Sequence, residues 1–163
     1  MTQPSRNAFA TSPDVVLAQL ALAECHNAQA ASDPSHLESA LVLLEHVRDR
    51  VDAPLDVRIE AGFNLGVVLR QRGELEKAAV GWWRDVVSPF LLDAKMAAQL
   101  SERAKGRYWM ARTLYRLGEV FEQQERLEEA KEAWLLLLKS KLGWGETLAK
   151  AKLARFGVPE AKP

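Results

Sequence analysis

The chain has 163 residues, of which 48% are hydrophobic and 27% charged, enough for one domain and too apolar for a mostly disordered chain. Lys and Arg number 22 and Asp and Glu number 22, so no net field draws the protein to nucleic acid or to an anionic membrane. The single cysteine, Cys25, cannot close an internal disulfide, and no apolar run approaches the roughly 18 residues of a membrane span; a reducing cytoplasm is the expected setting.

Residues 1–12 are polar, carry Pro4, lack the apolar core of a signal peptide and are expected to form a flexible leader. Ser12-Pro13-Asp14 then reads as a helix start, with Ser12 as N-cap and Pro13 in the first turn of a helix over 15–31. Asp33-Pro34 breaks it. Leu37, Leu41, Leu44, Val47 and Val51 make the apolar stripe of a second helix ending near Asp52. Beyond Pro54 the pattern predicts helices over 55–71 and 75–87, the latter stopped by Ser88-Pro89.

The stretch 91–110 is rich in helix formers and has Gly106 as its weak point, which predicts one long helix over 92–123, bent near Gly106 and protruding as an arm. On it Leu114, Leu117, Gly118 and Phe121 fall at helical spacing, and Leu127, Ala130, Trp134, Leu137 and Leu138 repeat the stripe on the next helix. Gly143 and Gly145 end that helix. A short helix over 146–156 follows, with Lys150, Lys152 and Arg155 set against Leu148, Leu153 and Phe156 as in a polar-backed cap, then Gly157 as a stop and a flexible tail over 158–163.

Leu117, Gly118, Phe121, Ala130 and Trp134 recur at the same offsets as Leu65, Gly66, Leu69, Ala78 and Trp82, with Gly73 at the turn. This spacing resembles the tetratricopeptide repeat. A fainter copy covers 21–54, where Ala40, Leu44 and Val47 fit the second helix while Asn27 and Ala28 replace the Leu-Gly pair. Gly66 and Gly118 stand 52 positions apart, against about 34 in adjacent repeats, so about 18 residues are inserted. Glycine inside a helix costs about 1 kcal/mol relative to alanine, and close approach of the partner helix, with Ala78 and Ala130 on its facing surface, is the expected offset.

The resemblance implies an all-α, right-handed superhelical array of about three helical hairpins over 13–157 with a C-terminal capping helix. It also implies a concave groove lined by Glu60, Phe63, Asn64, Val67 and Arg70 from one repeat and Arg112, Tyr115, Arg116, Glu119 and Glu122 from the next. Members that grip a peptide C-terminus use a carboxylate clamp, three of whose places fall on Asn64, Arg112 and Arg116, while Cys25 and Gln29 depart from the other two. The expected function is non-catalytic recognition of a protein or peptide segment, without cofactor or metal. The rival is a homo-oligomeric module whose groove holds its own inserted helix or a second copy.

Other residues carry less. Cys25 and His26 are sequence neighbours and so point about 100 degrees apart on a helix, which does not suit a nucleophile and its base. His26, His36 and His46 lack metal-ligand spacing and read as surface or turn residues. Among the five tryptophans, Trp82 and Trp134 take equivalent core places, whereas Trp83 and Trp109 are open between groove and surface. Arg103, Lys105, Arg107, Arg112 and Arg116 form a basic band, followed by an acidic one of Glu119, Glu122, Glu125, Glu128, Glu129 and Glu132. Such bands suit either a solvated surface or self-association.

Overall fold

The computed structural model describes residues 12–157, so the expected leader over 1–11 and tail over 158–163 lie outside the described residues. Every regular element among the described residues is helical. We number the helices α1 (Pro13–Gln29), α2 (Ser35–Asp49), α3 (Leu55–Gln71), α4 (Leu75–Gly81, running on as a π-helix over Trp82–Leu92), α5 (Ala94–Ser101), α6 (Ala104–Gln123), α7 (Leu127–Ser140) and α8 (Glu146–Arg155). Helices adjacent in sequence pack together, and α3 also packs directly on α6, past the intervening α4 and α5.

Local signals explain most boundaries. Ser12 caps α1 by accepting from the Asp14 amide at 3.3 Å, and Pro13 sits in its first turn. The turn from α3 to α4 is closed by Gly73 at φ 79°, with Glu74 N donating to Leu69 O at 2.9 Å. The α6 to α7 turn repeats it: Glu125 takes φ 60° and Arg126 N donates to Phe121 O at 2.8 Å.

Two apolar clusters share α3. Val16, Leu20, Ala40, Leu44 and Val47 join Val57, Ala61, Leu65 and Val68 on one side of it. Leu55 and Ile59 join Trp82, Val86, Phe90, Met110, Leu114, Leu117, Trp134 and Leu137 on the other. A helix buried on both sides must admit close neighbours. At Gly66 a β-carbon would overlap the Trp82 indole, and at Gly118 the Trp134 indole. Each indole donates to the carbonyl three residues before its glycine, Trp82 Nε1 to Phe63 O at 3.0 Å and Trp134 Nε1 to Tyr115 O at 3.3 Å. The glycines do serve close approach, but of an indole rather than of the alanines, which are themselves fully buried.

Three expectations are corrected. Helix α2 ends at Asp49 and Val51 is 85% exposed, because the stripe closes at Val47 and Asp52 instead accepts from Arg50. Ser88-Pro89 does not stop α4: the chain passes Pro89 in the wider π winding, which displaces the carbonyl that the ring would strike in α geometry, and Val86, Val87 and Phe90 are buried in return. The long helix over 92–123 is two helices, parted at Glu102 and Arg103, where Arg103 is extended at φ −118°. Helix α5 folds back against α4 and α6 instead of protruding, with Asp93 capping it, Leu100 buried and Gly106 leaving the space that Leu100 fills.

Candidate functional site

Helices α3 and α6 run side by side and line a shared groove of about 430 Å³, α3 with one helical face that includes the i, i+4 and i+7 positions Phe63, Val67 and Arg70, and α6 with the i, i+4 pair Arg112 and Arg116. It is lined by Phe63, Asn64, Val67, Arg70 and Gln71 from α3 and by Arg112 and Arg116 from α6. Six of the ten residues expected to line the groove are therefore gathered in one place. Two of the other four lie beside it. Glu119 accepts from Arg116 Nη1 at 2.6 Å and stands 3.9 Å from Arg70, so it pins both guanidinium groups. Tyr115 turns its ring edge to Trp144, with centroids 6.1 Å apart, and its burial, then the Glu119 charge, push its phenol up. No residue of α5 lines this groove.

Arg112 is held differently. Its guanidinium lies over Phe63 at 4.8 Å, Trp109 at 5.1 Å and Tyr108 at 5.5 Å, and Nη1 donates to the Tyr108 hydroxyl at 3.2 Å. Among the described residues it has no ion-pair partner. The rings beneath it form a continuous run, Phe63 to Trp109 at 5.1 Å, Trp109 to Tyr108 at 5.1 Å and Tyr108 to Trp144 at 5.8 Å. Trp109 Nε1 is buried without an acceptor among the described residues. Gln71 and Tyr108 were not legible as site residues; the one signal is that Tyr108 lies four residues before Arg112, which puts them on one helix face.

Below the groove Glu60 is a buried carboxylate, met by Lys105 Nζ at 2.7 Å across the α3–α6 contact, and Glu60 holds Lys105 above its ordinary value against the opposing effect of burial. Glu122 lies toward α8, paired with Lys152 at 2.5 Å and Arg155 at 3.7 Å. The charge bands are largely consumed within the chain: Arg103 meets Asp56 at 3.3 Å, Glu129 meets Arg126 at 3.1 Å, and Glu128 meets Lys131 at 2.8 Å.

The chemistry-bearing residues elsewhere do not assemble. Cys25 is exposed, and His26 turns to His36, Nδ1 to Nδ1 at 2.8 Å. Among the described residues no group of three or more His, Cys, Asp or Glu could hold a metal ion, and no helix is long and apolar enough to cross a membrane. The chain matches no family model and no curated protein.

Proposed function

We propose that the chain is a non-catalytic interaction scaffold built as a tetratricopeptide-like superhelical array, whose α3–α6 groove receives an acidic segment of a protein or peptide. The observation that carries this is Arg112, a groove cation seated on three aromatic faces and without a carboxylate partner among the described residues. Guanidinium is planar and weakly hydrated, so a ligand carboxylate can bond it in bidentate fashion while the rings exclude water. Asn64 and Gln71 add neutral donors and acceptors for a peptide backbone, and Val67 an apolar floor. Repetition of the glycine–indole contact and of the left-handed turn residue across two helix pairs supports the array reading, with α1–α2 as a less regular unit and α8 as its cap. A cytoplasmic setting, with no cofactor, belongs to the same proposal.

Selection from a random peptide library tests it. Enriched sequences should be rich in Asp and Glu, and Arg112→Ala should weaken their binding at least about tenfold, more so at low salt. Enrichment of basic or wholly apolar peptides, or acidic peptides that bind Arg112→Ala as well as the parent chain, would contradict it.

A further inference from the structure

A second groove, of about 550 Å³, opens between α4 and α7, with Leu117 and Phe121 of α6 among its lining residues. Trp83 and Leu92 line it from α4 and Leu135 and Leu136 from α7. Trp83 is 44% exposed, Leu92 50% and Leu135 45%, an unusual concentration of large apolar side chains in one concave place. Concave apolar surface of that kind marks an interaction site, and the charges around it select the partner.

Of the α7 residues that line this groove, Glu132, Leu135, Leu136 and Lys139 fall at i, i+3, i+4 and i+7 of one stripe, with Glu129 and Ala133 beside them. The stripe is charge-balanced about its own middle: Glu132 lies three residues before Leu135, and Lys139 three after Leu136. Two copies of this helix laid antiparallel about a two-fold axis between Leu135 and Leu136 place each Glu132 opposite the other copy's Lys139, twice, with four leucines between. A parallel arrangement would set like charges opposite each other. Neighbouring charges on α7 are already satisfied inside the chain, Glu128 by Lys131 at 2.8 Å and Glu129 by Arg126 at 3.1 Å, whereas Glu132 and Lys139 have no ion-pair partner among the described residues.

We infer that the α4–α7 groove is an isologous interface between two copies of this chain, with Leu135 and Leu136 at its centre, Trp83 and Leu92 as the flanking anchors, and reciprocal Glu132–Lys139 pairs at its rim. This surface shares no lining residue with the α3–α6 groove, so the two readings stand or fall separately.

Sedimentation equilibrium over a concentration series tests the inference on the full chain. The parent chain should dimerise. Leu135→Glu, at a position already half exposed, should raise the dissociation constant at least about tenfold, and Glu132→Lys or Lys139→Glu alone should do the same by setting like charges opposite each other at both rims. The charge-exchanged double variant Glu132→Lys/Lys139→Glu should recover the dimer, and an equimolar mixture of the two single variants should form the mixed dimer that neither forms with itself. Circular dichroism and the thermal midpoint check that each variant is folded, and where a single variant is not, the charge-exchanged double variant decides. A parent chain monomeric throughout would overturn the inference. So would a dimer indifferent to these changes, or one broken instead by Arg112→Glu.

Discussion

Gly66 and Gly118 are each covered by an indole that is itself fixed by a hydrogen bond to the glycine's own helix, so neither partner has freedom to withdraw. By propensity alone Gly118→Ala would stabilise α6 by about 1 kcal/mol. Overlap with Trp134 reverses the sign, and urea denaturation should show a net loss of about 1 to 3 kcal/mol. The opposite holds at Glu125, which occupies at φ 60° the place that Gly73 holds in the preceding turn. A left-handed conformation costs a residue with a β-carbon about 1 to 2 kcal/mol, so Glu125→Gly should raise stability by up to about 1 kcal/mol in the same assay. The offsets in the sequence were enough to pair the glycines with Trp82 and Trp134 as equivalent core places. They could not say that the indole rather than the alanine meets the glycine, because spacing gives the face of a residue and not its reach.

Among the helices, the ones read best are those bounded by proline or glycine, α1 by Pro13 and Pro34, α3 by Pro54 and Gly73, and α8 by Gly145 and Gly157. Those read worst are α4 and α5, where tertiary packing overrides a local signal: burial of Phe90 carries α4 through Pro89, and docking of Leu100 folds α5 back at a pair of residues, Glu102 and Arg103, that carry no breaker. Leu100→Ala should therefore cost about 2 to 4 kcal/mol of stability, where a protruding arm would lose almost nothing. Helix α6 is held to α3 by the Glu60–Lys105 pair, and Lys105→Ala should cost about 1 to 2 kcal/mol by leaving the Glu60 carboxylate buried alone. Because Lys105 is raised in the fold, this contribution is fully present below the ordinary lysine value of 10.5 and is lost as pH rises through the folded value. The parent and Lys105→Ala chains should accordingly converge in stability only in strongly alkaline solution.

For the molecule as a whole, α3 is the shared wall of both apolar clusters and of the α3–α6 groove, so fold and proposed function depend on the same helix. The groove was legible in outline because a family pattern on two helices picks out the same face of each. Its aromatic bed was not, since Tyr108, Trp109 and Trp144 come from the inserted stretch and from a loop, and only the packing of α3 on α6 and the return of the chain after α7 bring them under Arg112 and beside Tyr115. The measurement that bears most directly on the account is amide chemical-shift mapping of the labelled chain titrated with an Asp- and Glu-rich peptide. Saturable shifts centred on Phe63, Asn64, Val67, Gln71, Arg112 and Arg116 are predicted. Shifts confined to other helices, or none at millimolar peptide, would contradict it.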